Sequence, residues 1–368
     1  MNKFFCSFLK TAVFMLAFFV LLGGCSDDDS SLNSDKEWAW RALGSGFDHW
    51  VNALTVYNNK LIAGGQFNYS GDVSINSIAS WEGSSWATLG TGMTGGEVNA
   101  LTVYNGGLVA GGIIFSVGGI TANHIAAWNG TAWSAFGSGT AGFISTVLCV
   151  CPYGSNLIAG GWFDQAGGIT VNGLASWNGS SWSALGSGIS SPYTILAVTE
   201  FDNKLIAGGY FSTAGGVTAL RIAAWNGSVW SALNGGLSGH VEALTVYDNK
   251  LIAAGDFSKA GGGSVNANNI AAWDGSSWSA LGSGTNNEVL ALTVFDNKLV
   301  AAGEFTSAGG IAANHIAVWN GTTWSSIGTG MDSTVLALTV YNNSLIAGGK
   351  FSKAGGVNAS RIAIWNLQ

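Results

Sequence analysis

The segment Leu-Ile-Ala-Gly-Gly and its near copies occur seven times, with the leucine at Leu61, Leu108, Leu157, Leu205, Leu251, Leu299 and Leu345. The intervals are 47, 49, 48, 46, 48 and 46 residues. A period of this length means that one supersecondary unit is stacked repeatedly, because a unit so small cannot bury its apolar surface alone. An aromatic residue stands four positions before each leucine, from Tyr57 in the first copy to Tyr341 in the last.

Each unit parses into four short strands, of the form ALTVY, KLIAGGxF, IAxW and SxWSALG. The Y-N-N-K or F-D-N-K connector supplies Asn and Asp for a tight primed turn, and W-N-G-S-S-W supplies Asn-Gly for another between the third and fourth strands. The apolar runs scarcely alternate with polar residues, which suits strands covered on both faces. A ring of sheets meets that condition. The fold class read from the sequence is therefore all-β, a seven-bladed β-propeller with four strands per blade. With 56 Gly but only 2 Pro, and no three-residue glycine period, the composition speaks for tight turns rather than a collagen-like rod.

The last unit stops at I-A-I-W-N-L-Q, three strands long, whereas E-W-A-W-R-A-L-G-S-G (residues 37–46) is a fourth strand with no unit before it. The two pieces are expected to form one blade, with Trp40 to Leu43 pairing beside Ile362 to Trp365, because a closed ring leaves no open sheet edge. Residues 37–368 are then the propeller domain.

A hydrophobic strand, a Gly-Gly doublet, an aromatic on the third strand and a Trp opening the fourth resemble kelch repeats over residues 38–365. The W-[DN]-G-x-x-W-x-x-L-G element is similar to repeats of secreted bacterial propellers and of fungal cell-polarity surface proteins. The third strand carries Trp where kelch repeats usually have Tyr, and the doublet is Ala-Gly at Ala254-Gly255 and Ala302-Gly303. The resemblance implies the architecture and leaves the ligand open.

Residues 1–24 read as a signal peptide: Lys3 and Lys10 flank the start of an apolar run, Thr11–Leu22, too short for a comfortable membrane span. The L-L-G-G-C sequence ending at Cys25 resembles a bacterial lipobox, which implies cleavage before Cys25 and lipidation of its thiol. Residues 25–36 would form an acidic tether whose S-D-D-D-S resembles an outer-membrane export tag, so a lipid-anchored, surface-exposed protein is expected. Residues 1–24 hold two of the 13 basic residues and no acid, leaving 11 basic against 20 acidic side chains, a formal charge of −9. Nucleic acid is excluded as a partner on that charge. Beyond Cys25 only Cys149 and Cys151 remain, and their i, i+2 spacing in a strand implies no disulfide framework.

The N-G-S and N-G-T triplets at Asn129, Asn178, Asn226 and Asn320 fall in every case between the third and fourth strands, so they read as turns rather than glycosylation sites. D-G-S-S-W at Asp274 lacks the spacing of a sialidase Asp box. The dispersed His49, His124, His240 and His315 read as loop histidines, and no copper site of the galactose oxidase kind can be assembled. No cofactor is expected.

The interblade loops and those between second and third strands are long and fall at one end of the ring, the candidate binding face. The loops entering blades 3 and 4 are the longest, contain both prolines, and carry Phe143 and Tyr193. The residue after the glycine doublet varies from blade to blade: Gln66, Trp162, Tyr210, Asp256, Glu304 and Lys350. Blades 3 and 4 thus offer Trp162, Tyr210, Phe143 and Tyr193, and blades 5 and 6 offer Asp256 and Glu304 with Glu242 and Glu288. Aromatic faces and carboxylates together suit a glycan or an extracellular protein ligand, bound by a monomer without catalysis. Two alternatives stand beside that reading: a glycan hydrolase or lyase using the carboxylates of blades 5 and 6, and a structural surface spacer.

If Cys25 is the lipidated residue, Cys25→Ala abolishes incorporation of labelled fatty acid and leaves an unprocessed precursor; unchanged labelling overturns the lipobox assignment.

Overall fold

The computed structural model describes residues 37–94, 96–142, 145–190 and 193–367; the signal peptide, Cys25, the tether and Phe143 lie outside the described residues. Seven four-stranded antiparallel sheets make the ring. In blade 1 the order from the axis outward is Val51–Tyr57, Lys60–Gly65, Ile78–Trp81 and Trp86–Thr88. The innermost strands of successive blades adjoin one another around the axis. The seventh sheet runs Val335–Tyr341, Ser344–Gly349, Ile362–Leu367 and then Trp38–Ala42, with Trp40 opposite Trp365 and Ala42 opposite Ala363. The N-terminal strand therefore completes the last blade.

Second strands are covered on both faces, as their unalternating sequence requires: Leu61 to Gly65 is buried throughout. The first turn is primed in six of the seven blades, with both central residues left-handed, as at Asn58 (φ 48°) and Asn59 (φ 59°); in blade 3 only Gly154 of the pair Gly154-Ser155 is left-handed. The turn between third and fourth strands differs from the expected two-residue hairpin. Trp128 pairs with Trp133 across four residues, and Asn129 Oδ1 accepts the amides of Thr131 and Ala132, each at 2.9 Å. The side chain thus does what a left-handed Asn would otherwise do, and the same bonds recur at Asn178, Asn226, Asp274 and Asn320. Between second and third strands the chain forms a two-residue ribbon instead of an irregular loop, as in Thr213–Ala214 against Val217–Thr218.

Tryptophan welds the blades. The two Trp of each blade, such as Trp81 and Trp86, lie opposite one another with ring centroids 5.2 to 5.4 Å apart and planes tilted by 47 to 57°. Each fourth-strand indole Nε1 donates to a carbonyl of the preceding blade at 2.8 to 3.2 Å: Trp86 to Leu43, Trp133 to Leu89, and so on to Trp324 onto Leu281 and Trp40 onto Ile327. The N-terminal strand supplies a donor, Trp40, and an acceptor, Leu43, to this circle.

The glycine doublet follows from a β-bulge near the start of every first strand, where the register skips one residue, between Val51 and Ala53 in blade 1. The bulge presses a first-strand carbonyl onto the second doublet position, where a Cβ would lie 2.0 to 2.3 Å from that oxygen in all seven blades. At the first position a Cβ would meet a side chain of the next blade, Val98 Cγ1 at 2.5 Å for Gly64. A side chain can shift where a carbonyl cannot, which explains why Ala254 and Ala302 are tolerated there.

Two stability tests follow. Gly161→Ala should cost more than about 2 kcal/mol and Gly208→Ala less than about 1 kcal/mol in denaturant unfolding, and equal losses contradict the bulge explanation. Trp40→Phe keeps the aromatic ring but removes the donor to the Ile327 carbonyl, which then accepts from the Gly330 amide alone, for an expected loss of about 1 kcal/mol; a variant melting like its parent shows that this bond contributes nothing.

Candidate ligand-binding mouth

Both tight turns of every blade lie at one end of the ring, and the ribbons and interblade loops at the other. The end of each second strand and the start of each first strand meet there, as Thr146 opposite Trp162, Thr194 opposite Tyr210 and His240 opposite Asp256. The variable residues therefore share one mouth. In blade 2 the position falls to Ile113: Ile114 fills the buried slot that Phe67 and Phe163 occupy elsewhere, and Phe115 is left exposed.

The mouth has unlike sectors. On blades 1 and 2, Gln66 and Asn99 donate side-chain amide hydrogens to Glu97, and Asn52 donates to Asn99 Oδ1 at 3.0 Å, so these polar groups satisfy one another. On blades 3 and 4, Trp162 is 47% exposed and Tyr210 37%, although the residues beside them in the strand are buried. Neither is packed away between blades. Tyr210 contacts the Arg221 guanidinium, 4.5 Å from its ring centroid, and His240, edge-on with centroids 4.7 Å apart. Tyr193 is partly buried against Gly173, and its hydroxyl donates to Asp164 Oδ1 at 2.5 Å. Burial, with that carboxylate next to it, pushes the phenol's pKa up.

Blades 5 and 6 gather carboxyl groups: Asp256 is exposed, and Glu242, Glu288 and Glu304 are half-buried. Burial raises the Glu242 pKa to about 7, with repulsion from Glu288 and Asp256 adding to it. Glu288 moves the same way through burial and repulsion from Glu304 and Asp256, opposed by Lys350. Lys350 itself lies 4.6 Å from the Trp50 ring centroid, which makes blade 7 the cationic border of the acidic sector. Ser238, Asp256, Asn269 and Asn286 border an open polar depression of about 480 Å³ between blades 5 and 6. A larger one, about 630 Å³, opens on the tight-turn face beside Glu200, Asp202 and Asn249, but its walls are the turns that every blade repeats.

The residue preceding each third strand is left-handed in all seven blades, with φ between 64 and 80°. Its amide bonds to the carbonyl of the buried Phe or Ile slot and its carbonyl accepts from the second doublet glycine, as for Arg221 with Phe211 and Gly209. These bonds hold a strained conformation in place while the side chain varies: Ser77, His124, Gly173, Arg221, Asn269, His315 and Arg361. The histidines are consequently not plain surface residues. His49 is exposed, but His124, His240 and His315 are half-buried, with the His124 pKa lowered chiefly by burial and His315 Nδ1 3.0 Å from the Gly303 carbonyl.

Sequence reasoning missed Trp50, Arg221 and His240 as parts of this mouth, and placed Lys350 there without a role. A signal existed for Trp50. Of 17 tryptophans, fourteen fall in the seven structural pairs, leaving Trp38, Trp50 and Trp162.

With this geometry in view, residues 134–296 match a sequence profile of the Rax2 C-terminal beta propeller domain, and residues 296–317 match a β-propeller domain of unknown function, DUF5122. The chain is a β-propeller repeat protein. No curated protein matches it in sequence. Similar solved structures include the WD40 beta propeller domain of Doa1, at 14% identity and TM-score 0.55 over 90% of this chain and 97% of that one. The extracellular domain of BT4673 from B. thetaiotaomicron is similar at 12% identity and TM-score 0.56, over 89% of this chain and 40% of that one. The computationally designed Ika8 protein aligns at 17% identity and TM-score 0.53, over 89% and 99% of the two chains. At such identities these likenesses speak for the fold alone.

Proposed function

We propose that this chain is a lipid-anchored cell-surface propeller that binds a glycan or an extracellular protein at the long-loop mouth, without catalysis. The observation that carries the reading is the exposure of Trp162 and Tyr210 at a strand position flanked by buried residues, next to a sector of carboxyl groups. Burying an exposed aromatic face against a sugar ring or an apolar side chain is favourable, and the neighbouring carboxylates accept hydrogen bonds from hydroxyls or amines. Tyr210, braced by Arg221 and His240, loses little freedom on binding, so more of its contact energy appears as affinity.

The anchor fits this use of the face. Trp38 pairs with Leu367 at the tight-turn end of the last blade, so the chain enters the ring on the side opposite the mouth. A lipid on Cys25 would tether the ring through residues 25–36, which span at most about 40 Å when extended. The extracellular placement of the BT4673 propeller is consistent with such display.

A glycan array probed with the lipid-free protein, joined to a product assay on each hit, tests the proposal. Binding without product supports it, product formation replaces it with the hydrolase or lyase reading, and no binding to glycans or surface proteins leaves the spacer. For a hit, Trp162→Ala should weaken binding about tenfold or more with the ring still folded. The control is Asn59→Gly on the opposite face, which preserves the left-handed turn there and should leave affinity unchanged. Weaker binding by Asn59→Gly than by Trp162→Ala means the ligand sits on the other face.

A further inference from the structure

The bulge that creates the glycine doublet also creates a collar. Its extra residue sits at one level of the innermost strands in all seven blades: Asn52, Asn99, Leu148, Leu196, Glu242, Leu290 and Leu336. Asn52 and Asn99 bond to each other, and four of the other five are leucines. Glu242 is the one ionisable member, with Leu196 and Leu290 at the same level in the adjacent blades. Among the described residues no donor bonds to its carboxyl group. We propose that Glu242 is a proton-operated charge switch for the mouth, whose protonation changes the charge of the acidic sector by one.

The groups around it favour the neutral acid. Asp256 faces it from the second strand of its own blade and Glu288 from blade 6, with Glu304 behind Glu288. The cation on that side, Lys350, acts on Glu288. His240 lies two residues earlier, in contact with Tyr210 and opposite Asp256, and Arg221 lies over the Tyr210 ring. Lys204, Lys250, Lys298 and Glu200 all stand at the tight-turn end of the same strands. Burial among leucines removes water from the carboxylate, and its acidic neighbours add repulsion, so both effects retain the proton; the resulting pKa is about 7. Above neutrality the sector gains a negative charge, which strengthens its attraction for a cationic group on a ligand and weakens that for an anionic one. Only this consequence rests on the proposed ligand face; the titration does not.

The sign for stability follows from the raised value. The folded state binds the proton more tightly than the unfolded chain, whose Glu has a pKa near 4.3, so this stabilisation is complete below that value and lost as pH rises through about 7. The folding constant should fall about tenfold between pH 6 and pH 8 from this group.

The test is a difference titration of the folded proteins, wild type against Glu242→Gln. The expected difference is one proton with a midpoint near neutrality, which moves to lower pH in Glu288→Gln and stays in place in His240→Gln. Glu242→Leu, copying the other blades, serves if the Gln variant folds poorly. A midpoint in the ordinary carboxyl range, one unmoved by Glu288→Gln, or a transition abolished by His240→Gln overturns the proposal. Failure of every glycan and protein to bind would remove the proposed function and leave this result standing.

Discussion

The hydrogen bond from each fourth-strand tryptophan to the preceding blade is the interaction on which the ring depends. A four-stranded sheet of this size has an apolar face on either side and little else to hold it to its neighbours. The indole fills that gap twice: its ring covers the apolar face beside the third-strand Trp, and its N–H bonds to the second lone pair of a carbonyl that already closes a turn in its own blade, as Phe136 accepts from both Gly139 and Trp182. One such bond is worth only about 1 kcal/mol net, but the circle has no end at which a blade is held from one side alone. This is why a lone outer strand stands ahead of the first blade. Leu43 accepts from Trp86 and so joins the last blade to the first, Trp40 donates to Ile327 and joins the last blade to the sixth, and Trp38 adds a stacked contact to Trp365 in its own blade and an edge contact to Phe295 of the sixth.

A second constraint, the bulge, connects the scaffold to its mouth. It requires glycine at the second doublet position and releases one side chain per blade onto the collar, so the feature most regular in sequence is also the one that presents variable chemistry. The left-handed residue before each third strand works alike: its backbone is pinned by two hydrogen bonds, and its side chain is free to be Arg, His, Asn or Ser. Variation is thereby confined to one end of the ring. At the tight-turn end the Asn and Asp side chains are engaged in forming the turns, which leaves little room for specificity there.

Much of the fold was legible because propeller geometry repeats. Leu61 and its six counterparts give the number of blades directly, and the orphan strand around Trp40 identifies how the ring closes. The errors were local. Asn129 looked like half of a primed turn, but only coordinates reveal that its side chain rather than its backbone forms the bend. The ribbons were missed because two-residue strands such as Thr213–Ala214 carry no periodicity to detect. For the mouth, the position of Trp162, Tyr210, Asp256 and Glu304 could be read as variable, but not their exposure, since burial at a strand end depends on how the neighbouring loops fold over it. His240 and Arg221 were invisible as partners of Tyr210 because they come from a different blade and a different loop.

The mouth's asymmetry follows from this separation of duties. A ring of identical blades would present seven copies of one weak contact, suited to a sevenfold partner, whereas here each sector differs: amides and Glu97 satisfied among themselves on blades 1 and 2, aromatic faces on 3 and 4, carboxyl groups on 5 and 6, and Lys350 on 7. A ligand lying across blades 3 to 6 would meet apolar area at one end and a negative field at the other, so it would bind in one orientation. Glu242 lies at the border of these two sectors, one blade from Tyr210, and burial together with repulsion from Glu288 and Asp256 keeps its proton affinity high. Replacing a collar leucine with a polar residue would admit water to that carboxyl group and lower its pKa without touching the ring's tryptophan circle. The scaffold and the charge of the mouth are thus set by different residues of the same repeat.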